Sequence, residues 1–303
     1  MTSNDEIKAP DWIIFIGLSI IWGFSFFFIK KGLLFFNPIQ VAALRMSIAF
    51  LALTPFILLN LKKIKIEPWQ WKFVPLLGLF GNLFPALFFC FAQTKVASGL
   101  VGIMNATTPL FVMLLGALFF GVPITKNKIS GVLIGFFGAG LIILSKTKAI
   151  HNQPFSIHII LPLLATMCYG LNANIFKKYF QNNHPLIIAL VQYSVVALVT
   201  IPYLIFSGTI KQIQVNPIAA WQSLKYLLLL GVLGTGMAQV FFNILTQRTS
   251  ALFATMTTYL IPIVSVIIGL FIGEQILIIH IIALFIILIG VYFVTRKRKV
   301  VVN

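Results

Sequence analysis

Polar residues recur at helical spacing inside apolar runs. Thr235, Gln239 and Asn243 stand four apart, so they share one face of a helix. Asn105 and Pro109 are four apart, and Thr255, Thr258 and Pro262 follow at spacings of three and four. Tyr169 and Asn172 are three apart with Asn174 beside them, and Asn82 precedes Gln93 by three turns. Amides and hydroxyls at membrane depth cost free energy unless they are partnered or wetted. Such stripes either bond helices to each other or line a hydrated cavity. They bind and orient a polar solute; they do not form a nucleophile with its base. No nucleotide loop or metal-ligand spacing accompanies them. Cys90 and Cys168 lie inside apolar runs, with neither disulfide nor metal spacing. The chemistry expected is therefore binding, with no enzyme activity, no cofactor and no metal.

Three other features bear on that binding. Arg45 is the one basic residue placed within a span; it would either hold helix-end carbonyls or a carboxylate of the protein, or take the carboxylate of a substrate. Pro109 and Pro262 interrupt helix hydrogen bonding near mid-span. Thr107, Thr108, Thr257 and Thr258, just before them, have hydroxyls that could satisfy the freed carbonyls or bind solute. The acids are few: Asp5, Glu6, Asp11, Glu67 and Glu274. None is mid-span, which argues against coupling through a buried carboxylate.

The elements that must position these groups are membrane helices. The chain is 60% hydrophobic and 9% charged, with mean hydropathy +1.04, which excludes an ordinary soluble domain. Breaks at charges and prolines give ten candidate spans, about 12–30, 38–60, 73–94, 97–120, 127–145, 157–177, 185–207, 224–246, 249–272 and 276–295. The net charge of +17 sits in short loops, as topology signals do, so no nucleic-acid partner is expected. With Met1 inside, 14 Lys and Arg fall on the inner side and 7 on the outer, placing both termini in the cytoplasm. The leader Met1–Lys8 contains Asp5 and Glu6 and does not read as a cleavable signal. Trp12, Trp69, Trp71 and Trp221 flank spans as interfacial anchors. Gly131 and Gly135 make a small face suited to tight packing within the chain or to a homodimer.

The chain also repeats itself. Trp22-Gly23, Lys30-Lys31, Pro38 and Pro55 return 147 positions later as Tyr169-Gly170, Lys177-Lys178, Pro185 and Pro202. Gly78, Gly81, Phe89 and Pro109 return after 153 as Gly231, Gly234, Phe242 and Pro262, and Gly140 after 150 as Gly290. Each copy, residues 1–148 and 154–303, holds five spans, an odd number, so the two are inverted. Inverted repeats around a midplane site give a secondary transporter two alternating gates. Through the repeat, Trp22 and Ser25 are twins of Tyr169 and Asn172, Asn82 of Thr235, and Arg45 of Gln192. Polar faces thus fall on corresponding helices of both halves, which favours a shared cavity.

These residues resemble the drug/metabolite transporter superfamily in its ten-helix EamA branch. The resemblance rests on Trp22-Gly23, Lys30-Lys31, Arg45, Asn105-Ala106-Thr107-Thr108-Pro109, Tyr169-Gly170, Thr258-Tyr259-Leu260-Ile261-Pro262 and Gly273-Glu274. It implies an all-α polytopic protein of the plasma membrane, the inner membrane in a bacterium. It further implies an exporter of amino acids, other metabolites or drugs that works by alternating access. The family often carries Gly-Glu after the fourth span of each repeat; here the first copy has Gly121-Val122. The expected partners are a small-molecule substrate and the lipid bilayer. The substrate site expected is Trp22, Ser25, Asn82, Asn105, Thr108, Tyr169, Asn172, Gln239, Asn243, Thr258 and Tyr259, with Arg45 as anion or structural partner and Pro109 and Pro262 as hinges. The competing reading is a channel or passive pore for small solutes.

Overall fold

A computed structural model describes residues 7–58, 65–96, 98–145, 157–261, 263–264 and 278–295. These form an all-α structure with no strand among the described residues. The first repeat contributes α1 (Ala9–Gly32), α2 (Pro38–Leu58), α3 (Pro68–Lys95), α4 (Ser98–Asn105 and Thr108–Phe120) and α5 (Lys126–Ser145). The second contributes α6 (Ile160–Tyr179), α7 (Pro185–Phe206), α8 (Pro217–Arg248), α9 (described over Ala251–Ile261) and α10 (Ile278–Thr295). A short helix, Thr209–Val215, joins α7 to α8; the sequence did not reveal it. The junction of the repeats expected at 146–156 lies outside the described residues, as do Pro262 and Gly273-Glu274.

Local chemistry sets the ends. Proline opens α2, α3, α7 and α8, where its missing N–H is not needed. At α2, Gln40 N donates to Asn37 Oδ1 (2.9 Å) while Asn37 N donates to Gln40 Oε1 (3.0 Å), a reciprocal cap. Glu67 N donates likewise to Gln70 Oε1 at α3. Gly121 ends α4 at φ +68°, a left-handed conformation that explains why glycine stands there. The following Val122 N bonds back to Gly116 O at 3.0 Å.

Two helices exceed a single crossing: α3 has 28 residues and α8 has 32. Each widens into a π-helical stretch, Leu79–Leu83 and Leu230–Met237. Periodicity gave no sign of this, because a π bulge adds a residue without ending the apolar run. α4 breaks at Ala106-Thr107, so Pro109 lies in the first turn of a new half-helix and not in an uninterrupted one. Thr107 Oγ1 donates to Met104 O (2.6 Å) and Thr108 Oγ1 to Asn105 O (2.7 Å), satisfying carbonyls at the break. α9 repeats the device, with Thr257 Oγ1 on Ala254 O (2.8 Å) and Thr258 Oγ1 on Thr255 O (2.9 Å).

Packing follows the repeat. α1 lies against α8 as α6 lies against α3, and α2 meets α8 as α7 meets α3. Apolar side chains on the outer faces remain exposed; on α1 these are Ile13, Ile16, Ile20, Phe24 and Phe27. Their spacing of three and four makes a stripe that lipid covers. The expected anchors Trp12, Trp69, Trp71 and Trp221 are all exposed near helix ends. α5 and α10 form a separate pair at glycines. A Cβ on Gly290 would stand 2.5 Å from Gly135 N, and one on Gly131 would stand 2.6 Å from Gly290 O. The small face of Gly131 and Gly135 is thus occupied by α10 within the chain.

Gly290→Ala should lower the melting temperature of the detergent-purified protein by about 5 °C, because backbone blocks the added methyl. Gly17→Ala, with nothing within 4 Å of its Cβ position, should leave it unchanged or raise it. Equal melting of Gly290→Ala and the parent would refute this packing.

Candidate functional site

A cavity of about 90 Å³ lies between the two repeats. From the first repeat it takes Trp22, Ser25, Arg45, Asn82, Asn105 and Thr108. From the second it takes Tyr169, Asn172, Thr235, Gln239, Thr255 and Thr258. Side chains from seven helices spread over more than 230 residues thus meet in one place.

Close backbone approaches build the cavity, and each has its twin. A Cβ on Gly234 in α8 would stand 2.8 Å from Ser25 Oγ in α1. One on Gly81 in α3 would stand 2.5 Å from Asn172 Oδ1 in α6. The same holds one turn earlier: Gly231 abuts Arg45 O (3.1 Å) and Gly78 abuts Gln192 O (3.0 Å). Only residues lacking Cβ let α3 and α8 come this near the opposite repeat.

The side chains above these glycines are twinned as well. Trp22 lies 5.6 Å from Phe242 between ring centroids, and Tyr169 lies 6.0 Å from Phe89. Trp22 Nε1 also donates to Gly234 O at 3.1 Å, which fixes the indole. Asn82 Nδ2 donates to Gln192 Oε1 at 3.1 Å and reaches back to Leu77 O at 3.3 Å. Thr235 Oγ1 donates back to Leu230 O at 2.8 Å and accepts from Arg45 Nε at 3.2 Å. The two π bulges therefore carry equivalent side-chain braces, each tied to the other repeat. Tyr193 OH adds a bond to Thr235 O at 3.1 Å.

Two of the sequence-predicted site residues do not line the cavity. Asn243 is fully buried behind Gln239: it accepts from Gln239 Nε2 (2.9 Å) and donates to Pro185 O (3.2 Å), holding α8 to the start of α7. Tyr259 is fully buried beside Gly135, with its OH on Val132 O at 2.8 Å, and ties α9 to α5. A four-residue period places Asn243 on the face of Gln239 but cannot say how deep along it the cavity reaches. Pro109 is buried outside the lining.

Met46, Tyr193, Phe26 and Ile29, which carry no polar stripe in the sequence, also line the cavity. Met46 and Tyr193 could have been found, since they are twins beside Arg45 and Gln192. Lys30 and Lys177, which the sequence presents as topology charges, have partners inside the fold. Lys30 Nζ donates to Gln93 O at 3.1 Å, at the end of α3. Its twin Lys177 Nζ donates to Thr246 O (3.1 Å), Gln247 O (3.0 Å) and Thr249 O (2.9 Å), at the end of α8. A cation at a helix C-terminus satisfies orphan carbonyls and meets the negative end of the dipole.

The arrangement can hold a small solute between aromatic walls and amides, with one permanent cation at its edge. Among the described residues no carboxylate faces it. Asp11 bonds Lys8 N (3.0 Å) and approaches Arg248 (3.5 Å) at the start of α1, and Glu67 is exposed at the start of α3. No cluster of metal ligands occurs among the described residues.

Known proteins place this architecture. The chain is 26% identical to an uncharacterized transporter of Archaeoglobus fulgidus over 95% of this chain and 99% of that protein. It is 26% identical to the uncharacterized transporter YoaV of Bacillus subtilis, covering 94% and 97%. It is also 26% identical to the uncharacterized inner membrane transporter YedA of Escherichia coli, covering 85% and 81%. A crystal structure shares the fold at a TM-score of 0.72 and 16% identity, over 95% of this chain and 96% of that one. The EamA-like transporter family matches twice, over residues 12–144 and again over 156–296. The two matched repeats account for the twinned contacts around the cavity, and this integral membrane protein belongs to the EamA-like transporter family.

Proposed function

We propose that the chain is a secondary transporter that exports amino acids, related small metabolites or drugs by alternating access. The observation that carries this reading is a cavity lined by both repeats through twinned contacts. Equivalent contacts made by both repeats allow two conformations of similar energy, one facing each side. The breaks in α4 at Ala106-Thr107 and in α9 at Met256 supply one point of flexure in each repeat, and Pro109 keeps α4 from closing into a continuous ladder; Pro262 is proposed to do the same in α9. In this reading the repeats are the units 1–148 and 154–303, and the chain carries solute without altering it. A channel reading has less to support it, since the described cavity carries no charged ring.

In proteoliposomes, preloaded unlabelled substrate should drive uptake of the same labelled solute, screened over amino acids and drugs. Gln239→Leu should cut that counterflow about 3- to 10-fold through loss of an amide contact, with folding intact by size exclusion. Flux without counterflow would identify a channel, and unchanged kinetics in Gln239→Leu would remove that residue from the site.

We also propose that Met1 and Asn303 face the cytoplasm of the plasma membrane, because 14 of the loop and terminal cations fall on that side against 7. Cysteines placed at either terminus should resist impermeant thiol reagents in intact cells and react after lysis. Labelling of either end before lysis would reverse the assignment.

A further inference from the structure

Arg45 carries a charge that the fold does not require. It is 7% exposed and lines the cavity. Its Nε is spent on Thr235 Oγ1 at 3.2 Å, and no hydrogen bond from Nη1 or Nη2 to the protein occurs among the described residues. The two described carboxylates, Asp11 and Glu67, are both at helix starts away from the cavity. A buried guanidinium without a counter-ion is costly. The twin position shows that bracing the π bulge needs no charge: there, neutral Gln192 meets Asn82 at 3.1 Å. The repeat thus contains its own control, with one structural place filled once by an amide and once by a cation.

Two further groups complete a subsite. Asn172 Oδ1 is buried beside Gly81 at the cavity and has no hydrogen-bond donor among the described residues. The rings of Trp22 and Phe242, and of Tyr169 and Phe89, flank the same space. We propose that Arg45 binds the carboxylate of the transported solute, whose apolar or aromatic body packs on these rings. The free Nη1/Nη2 edge of the guanidinium matches the two oxygens of a carboxylate. Asn172 Oδ1 accepts from a donor on the solute, such as an amine or hydroxyl. The substrate class is therefore small carboxylates, with amino acids and aryl acids as members, and cationic drugs are disfavoured. This assignment rests on the cavity being the transport site.

The test compares phenylacetate with its neutral isostere phenylacetamide, and includes L-phenylalanine, on the full chain in detergent at a pH where carboxylates are ionised. Phenylacetate and L-phenylalanine should raise the melting temperature by about 3 °C at saturation, and phenylacetamide should not. Arg45→Gln, which installs the twin's residue, should weaken phenylacetate binding at least about tenfold, and Arg45→Lys should retain part of it. If Arg45→Gln does not fold, phenylglyoxal modification of Arg45 in the unmutated protein, read by peptide mass spectrometry, should slow when phenylacetate is present. Equal stabilisation by phenylacetamide, an unaltered response in Arg45→Gln, absence of any response, or no protection of Arg45 would each overturn the proposal. Counterflow of a neutral or cationic solute alongside such a result would leave the carrier reading standing, whereas no counterflow of any solute would overturn that reading instead.

Discussion

The contact of Gly234 with Ser25, and of Gly81 with Asn172, sets the distance between the repeats at their centre. In lipid no water relieves an unpaired polar group, and no hydrophobic force draws helices together. Helices of opposite repeats stay joined by close packing and by hydrogen bonds between their buried polar groups. Glycine permits the first, and the π bulges beside it turn Asn82 and Thr235 toward partners on the other repeat. The cavity is what remains between these contacts, so its width and polarity follow from them. Larger residues at either glycine would part the repeats and leave several polar groups without partners at once.

Near-symmetry and its violations play different parts. Where twins agree, as with the glycines, the phenylalanines and the two lysine caps, the residues serve the architecture that both facings need. Where they differ, the cavity acquires a direction. Trp22 stands against Tyr169, Ser25 against Asn172, and Arg45 against Gln192. These exchanges move bulk, hydrogen-bonding capacity and charge off the pseudo-axis. A solute would then sit to one side of the axis and meet different walls as each gate opens. The shortage of carboxylates near the cavity gives the Arg45 field no internal counter-charge among the described residues.

Much of this was legible in the sequence because apolar length and repeat spacing are strong signals in membrane chains. Ten runs separated by charges and prolines matched the helices over their described residues, and the twinning of Trp22 with Tyr169 and Asn82 with Thr235 marked helices that line the same cavity. Three things were not legible. The π bulges of α3 and α8 leave no mark on hydropathy. A polar stripe does not say where the cavity ends, so Asn243 and Tyr259 were grouped with residues that line it although each is consumed by a bond between helices. Lys30 and Lys177 counted as topology charges, since only coordinates reveal a carbonyl cluster within reach of an ammonium.

Alternating access requires that one cavity be reached in turn from both faces through gates related by the repeat. Asn105→Cys, in a background without Cys90 and Cys168, places a thiol in the cavity wall. Its reaction rate with an impermeant reagent can be measured separately from each side of sealed vesicles, with Pro109→Ala or Pro262→Ala added. The account predicts reaction from both sides, and opposite shifts in the ratio of the two rates for the two proline variants, each gain at one face matched by loss at the other. Reaction from one face only, or shifts in the same direction, would contradict it.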